Sequence, residues 1–161
     1  MSKKLVHELV YDAPRADVLA MLADPAFREQ VCDYQKVLRR TVTRDGDPGE
    51  GDWSITIDQV QPASGIPSFA KKFVGDEINI VQVERWSGEQ ADVEVTIPGK
   101  PGEMTGSVRL AESGGTTTET VEMTIKVNIP LVAGKIESLI ADMLLKALKA
   151  ENHVGTKYLA G

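Results

Sequence analysis

The hydrophobic positions of this chain change period several times, and each change marks an element. Lys3 to Tyr11 alternates, with Leu5, Leu9 and Tyr11 on one face and Val6 and Val10 on the other, which predicts a strand covered in part on both sides. Ala13-Pro14 ends it. Asp12 is placed to cap the helix that follows, with Pro14 in its first turn and Val18, Leu19, Met21 and Leu22 as its buried stripe. Asp24-Pro25 restarts the pattern, and Phe27, Val31 and Tyr34 then fall at helical spacing in a second short helix that ends near Asp33.

The period next becomes two. Val37, Leu38 and Val42 form a strand running into the loop Arg44 to Gly51, and Trp53, Ile55 and Ile57 alternate with Ser54, Thr56 and Asp58 in a strand with one dry face. Gln61 to Gly75 breaks the alternation with Pro62, Gly65 and Pro67, while Phe69 and Phe73 fit a single helical turn inside a mobile crossover. Ile78 to Trp86, Val93 to Ile97, Met104 to Leu110 and Thr117 to Val127 follow as an antiparallel meander. Its breaks are Ser87-Gly88, Pro98 to Gly102 and Ser113 to Gly115.

The last segment is helical. Val132, Ile136, Leu139, Ile140, Met143, Leu144, Ala147, Ala150, Val154 and Tyr158 share a broad face, with Lys135, Asp142, Lys146 and Lys149 opposite. Leu145 and Leu148 widen the apolar arc to roughly half the circumference, more than a helix resting on a flat surface shows. Such a helix needs a curved partner, which strands bent by twist and glycine-rich turns supply. The expected architecture is α+β: a curved antiparallel sheet of about seven strands wrapped around a long C-terminal helix, with two short helices after strand 1. One domain would span residues 1–161.

Composition narrows the partners. The 161 residues are 42% hydrophobic and 26% charged, enough for a real core without metals or disulfides. A net charge of −6 with no Lys/Arg cluster disfavours nucleic acid and anionic membrane surfaces. The richest apolar stretch, Ile129 to Leu148, is broken by Lys135, Glu137, Asp142 and Lys146, so no integral membrane association is expected. The N-terminal residues alternate and do not read as a secretory leader. Cys32 is the single cysteine, which fits a reducing compartment and a cytoplasmic location.

The order strand, two short helices, a run of strands and a long closing helix resembles the helix-grip fold of the START-like superfamily (SRPBCC), also called polyketide-cyclase-like or pollen-allergen-like. Val127 to Glu137, leading into the last helix, looks like an uncharacterised bacterial branch described as a domain of unknown function. Gly75 to Ile78, Glu84 to Trp86, Tyr11 to Pro14 and Ile97 to Gly99 extend the similarity over nearly the whole chain. These motifs are structural. The resemblance implies a fold and an apolar pocket, and it carries no catalytic residue across.

Between such a sheet and helix a chamber for a hydrophobic small molecule is expected. Period-two and helical spacing point to Trp53, Ile55, Ile57, Ile80, Val93, Val95, Met104, Val108 and Met123 as its walls, roofed by Ile140, Met143, Leu144 and Ala147. Gln82 and Glu84 share the face of Ile78, Ile80 and Trp86, so two polar groups are directed into apolar surroundings. Glu84 and Gln82 are the candidates to anchor a ligand's hydroxyl or carbonyl; otherwise Glu84 pairs with an arginine such as Arg109 or lies at an open sheet end. His7 shares the face of Leu5, Leu9 and Tyr11; His153 faces solvent. No zinc set, phosphate loop or nucleophile elbow occurs, so neither metal nor cofactor is expected and no catalytic residue is assigned.

Three readings follow. The first is binding or carriage of a lipid, isoprenoid or polyketide-like molecule, non-enzymatic, admitted near Gln61 to Gly75 past an exposed Phe69 or Phe73. The second is a cyclase or aromatase, which needs Glu84, Gln82, Tyr11, Tyr34 or His7 to converge in one pocket. The third is a protein interaction module using an exposed patch around Val81 and Val83.

Overall fold

A computed structural model describes residues 2–161. Strand β1 (Lys3–Tyr11) leads into helices α1 (Arg15–Ala23) and α2 (Pro25–Tyr34). Strands β2 (Arg39–Asp45) and β3 (Trp53–Pro62) form a hairpin, followed by helix α3 (Ser68–Val74). The meander β4 (Glu77–Ser87), β5 (Gln90–Thr96), β6 (Glu103–Ser113) and β7 (Thr116–Lys126) precedes the long helix α4 (Ala133–Ala160). All seven strands form one antiparallel sheet in the order β1-β7-β6-β5-β4-β3-β2. Its curved inner face holds α4. The helix-grip architecture expected from hydrophobic spacing is therefore present, with β2 beginning at Arg39, beyond Val37 and Leu38.

Several local expectations need correction. Only the inner face of β1 is covered: Leu9 and Tyr11 are buried, while Val6 and Val10 are 60% and 56% exposed, because no layer packs on the outside of this edge strand. Asp12 does not cap α1. Pro14 occupies that N-cap position without a side-chain bond, and the carbonyl of Pro14 itself takes the first helical N–H groups, from Asp17 and Val18. The working cap is Asp24, whose Oδ1 accepts from the backbone N–H of Ala26 at 3.0 Å. Its Oδ2 accepts from the Tyr158 hydroxyl at 2.6 Å, tying α2 to the last turn of α4. The Phe27 and Tyr158 rings meet edge to face at 5.4 Å beside that bond.

Two glycines let the layers close. Gly106 of β6 lies where an added Cβ would sit 1.8 Å from the Glu122 carbonyl oxygen of β7, so the two strands press together there as no other residue permits. At Gly155 an added Cβ would meet the Tyr11 ring at 2.8 Å, which is why α4 approaches β1 more closely than any other strand. Asn152 Nδ2 donates to the Val10 carbonyl at 3.1 Å along the same seam. The chain reaches α4 through Leu131, a fully exposed residue in the left-handed region at φ 71. At the start of α4, buried Glu137 accepts from the Val127 N–H at 2.9 Å and holds the turn against β7.

The two aspartates should separate on substitution. Asp24→Ala, which loses a cap and a tyrosine bond, lowers unfolding stability by about 1–3 kcal/mol. Asp12→Ala at an exposed position stays within about 0.5 kcal/mol of the parent. Urea unfolding followed by circular dichroism measures both, and equal effects would contradict the capping assignment.

Candidate functional site

Because α4 lies against β1, space remains between it and strands β3 to β7. The largest part is an apolar chamber of about 90 Å³ under the first half of α4, walled by Ile78, Ile80, Val95, Met104, Ile136, Ile140, Met143 and Leu144 and closed by Ala70 and Phe73 of α3. A second cavity of about 40 Å³ adjoins it through Val95 and Leu144, and has Gln82, Glu84, Glu119 and Glu151 in its wall. A third of about 60 Å³ lies toward α2, between Arg28, Cys32, Ile57 and Gln59, and shares Gln82, Ala147, Leu148 and Glu151 with the second. The three form a row beneath the helix. Each exceeds the roughly 10–15 Å³ that one water requires.

The residues expected to line a chamber distribute along this row. Ile80, Met104, Ile140 and Met143 border the first cavity, Val95 and Leu144 the first and second. Gln82, Glu84, Val93, Val108, Met123 and Ala147 border the second, and Ile57 the third. Ile55 is completely buried and borders none of the three. Trp53 is likewise core, stacked on Trp86 with ring centroids 5.4 Å apart and planes 3° from parallel. Phe69 and Phe73 are partly buried against the core instead of exposed, with Phe73 in the chamber wall.

Between the second and third cavities lies a buried charged cluster. Arg28 of α2 is 2% exposed, which is unusual for an arginine and demands partners. Its Nη1 donates to Glu84 Oε2 at 3.0 Å and Nη2 to Glu84 Oε1 at 2.7 Å, a two-point pairing. Nη1 also reaches Glu151 Oε1 of α4 at 3.3 Å, and Nε donates to the Leu22 carbonyl of α1 at 2.8 Å. Glu84 collects two further donors from its own strand, Gln82 Nε2 and Trp86 Nε1, the latter at 2.9 Å. Its partner is thus Arg28 and not Arg109, which is exposed and lies 4.0 Å from Glu122 on the outer surface. With four donors on it, Glu84 has little acceptor capacity left for a ligand.

The neighbouring carboxyls are different. Glu119 Oε1 and Glu151 Oε2 are buried with no hydrogen-bond partner. Burial pushes the Glu119 carboxyl well above the usual range, and the adjacent Glu151 adds to the shift. Glu151 is also raised by burial, against the pull of Arg28. The consistent arrangement is one proton held between the two carboxyls, with Glu119 as the acid. Arg28 keeps its charge despite burial because Glu84 and Glu151 hold it. Tyr11 stays neutral, raised by burial and then by Glu151 and Glu119, and its hydroxyl donates to the Glu151 carbonyl at 3.4 Å.

Arg28, Glu119 and Glu151 escape the sequence reading above. Gln82 and Glu84 border one cavity; Tyr11 borders none of the three and touches the cluster only through the Glu151 backbone carbonyl, and Tyr34 is 54% exposed and rests on the exposed His153 ring at 5.0 Å. His7 is half-buried on β1 opposite Val121 and borders none of the three cavities. Val81 and Val83, the centre of the expected interaction patch, are partly covered. Cys32 is buried, and burial pushes its thiol up to about 11, leaving it unreactive near neutrality.

Two outcomes follow from the cluster. Arg28→Met strands buried carboxylates and costs about 3–5 kcal/mol, and adding Glu84→Gln recovers part of the loss, a coupling that a double-mutant cycle reads directly. Glu119→Gln should stabilise at neutral pH. A carboxyl whose folded value is raised holds its proton more tightly folded than unfolded, so its contribution is lost as pH rises from the ordinary 4.5 through the folded value. Thermal unfolding across that window should show the variant's advantage growing with pH; a constant difference would refute the shared proton.

Comparison with known proteins agrees with this geometry. A solved structure of a protein from Thermus thermophilus is 16% identical, covers 94% of this chain and 96% of its own, and has a TM-score of 0.63. Norcoclaurine synthase from Thalictrum flavum, in complex with dopamine and hydroxybenzaldehyde, is 15% identical with 98% and 88% covered and a TM-score of 0.60. A START superfamily protein from Mycobacterium smegmatis is 12% identical with 94% and 97% covered and a TM-score of 0.61. At such identities the likeness is one of fold. No curated protein matches the sequence. Through residues 6–159 the chain belongs to the family described as "Protein of unknown function (DUF2505)", and it carries the START-like helix-grip fold.

Proposed function

We propose that this protein binds or carries a hydrophobic small molecule, of lipid, isoprenoid or polyketide-like kind, between the sheet and α4. The observation that carries this reading is the 90 Å³ chamber, bounded almost wholly by isoleucine, valine, methionine, leucine and phenylalanine side chains. Apolar walls of that kind hold water poorly, and burying a ligand's apolar surface there is favourable by about 25 cal/mol per Å². The position of α3 supports its role as the cover. It is a short helix between glycine- and proline-rich turns, it contributes Ala70 and Phe73 to the chamber, and its N-cap has no side-chain bond. Displacing it requires few backbone bonds to break. No helix among the described residues is long and apolar enough to cross a membrane. We place the activity in the cytoplasm on the strength of the single buried cysteine.

Delipidated protein should enhance the fluorescence of diphenylhexatriene, a neutral apolar probe, on binding it. Ala70→Leu, which fills the chamber from α3, should weaken that binding roughly tenfold, equivalent to about 1.4 kcal/mol. A probe that stays dark with the parent protein, or binds both proteins equally, would overturn the assignment of the chamber.

A further inference from the structure

Donors and acceptors in the buried cluster do not balance, and the imbalance faces a cavity. Four N–H bonds from Arg28, Gln82 and Trp86 converge on Glu84 and one reaches Glu151. None reaches Glu119 Oε1 or Glu151 Oε2, although these residues are only 3% and 8% exposed. Both border the 40 Å³ cavity, whose remaining wall is mostly valine, methionine, leucine and alanine. A buried acceptor without a donor is costly, and such groups are rarely left so in folded proteins. With Glu119 holding a proton, one guanidinium still faces two carboxylates, Glu84 and Glu151, so positive charge is short here as well as hydrogen-bond donors. Among the described residues no three ligating side chains are grouped to hold a metal ion.

We propose that the cavity beside Glu119 and Glu151 is a head-group site for a primary ammonium at the end of an apolar chain. The chain lies in the adjoining chamber, past Val95 and Leu144. This rests on the chamber taking an apolar ligand and adds which end enters first. Two N–H groups of the ammonium reach Glu119 Oε1 and Glu151 Oε2 as charge-assisted bonds.

Without a cation beside them the two carboxyls share a proton. The groups around Glu119 on β7 are Tyr11 of β1, Arg28 of α2, Glu84 of β4 and Glu151 of α4. Of these only Glu151 shares that proton, since Tyr11 holds its own. An entering ammonium takes the proton's place: the Glu119 proton passes to solvent, both carboxylates close on nitrogen, and no covalent bond forms or breaks. A carboxylate head meets like charge there. A hydroxyl head supplies one donor and leaves the proton where it is.

Calorimetric titration of the full chain with decylamine, decanol and decanoate, each below its micelle concentration and in two buffers of different ionisation enthalpy, tests this. Decylamine should bind roughly tenfold or more tightly than either competitor, and its heat should report release of about one proton per molecule bound. Glu119→Gln should reduce the preference to roughly threefold or less and abolish the proton release, and Glu151→Gln should do the same. The ranking in the parent protein decides the matter even where a variant fails to fold. Similar affinities for all three, without proton release, would overturn the ammonium site and leave the chamber standing. Binding of none would overturn both. A decylamine preference untouched in both folded variants would overturn its placement at these carboxyls.

Discussion

A guanidinium taken out of water is the constraint around which the interior is arranged. Arg28 loses its hydration, and that loss is offset only where carboxylates and a carbonyl meet its N–H groups in good geometry. Those acceptors come from three elements: the Leu22 carbonyl ends α1, Glu84 lies midway along β4, and Glu151 projects from α4. Together with α2, which carries the arginine, four elements are fixed relative to one another through a single side chain. The cluster also stands between the second and third cavities, so the polar and apolar parts of the interior are divided at that point.

The second determinant is the lean of α4. Gly155 has no side chain to hold Tyr11 away, and Asn152 binds the Val10 carbonyl beside it, so the helix is drawn toward the β1 edge. A helix pulled to one side of a curved sheet leaves room on the other. The row of cavities lies there, bounded by β3 to β7. At its far end the side chains are aliphatic and α3 closes the space; toward the middle they become carboxylic. A gradient from apolar to acidic thus runs beneath the helix over a few turns, and a molecule with unlike ends would lie along it in one direction.

Much of this was legible in the hydrophobic pattern. Every strand, both early helices and the long last helix follow from spacing, and the inward face of β4 is readable because Glu84 and Gln82 interrupt an otherwise apolar parity. The same parity argument applies to β7, where Glu119 falls in the series Thr117, Val121, Met123 and Ile125. It was available and would have paired with Glu151, three and four residues beyond Leu148 and Ala147 on one helical face. What spacing could not supply is which charge meets which. Arg28 sits in a helix whose apolar positions are sparse, and its burial depends on β4 and α4 arriving from distant parts of the chain. Spacing does not separate the two caps for a related reason: Asp12 and Asp24 both precede a proline-bearing turn, and the hydroxyl of Tyr158, far away in sequence, holds only Asp24 in place.

The stacked indoles carry a practical consequence. Trp53 and Trp86 are the only tryptophans in the chain, and Trp86 donates its ring N–H to the carboxylate that receives Arg28. All intrinsic long-wavelength emission therefore originates from one pair of coupled rings in contact with the ionic centre, and none from the aliphatic end beneath α3. Spectral changes in this protein report on the electrostatics of its middle, while events at the far end of the row register only as far as they propagate through Glu84.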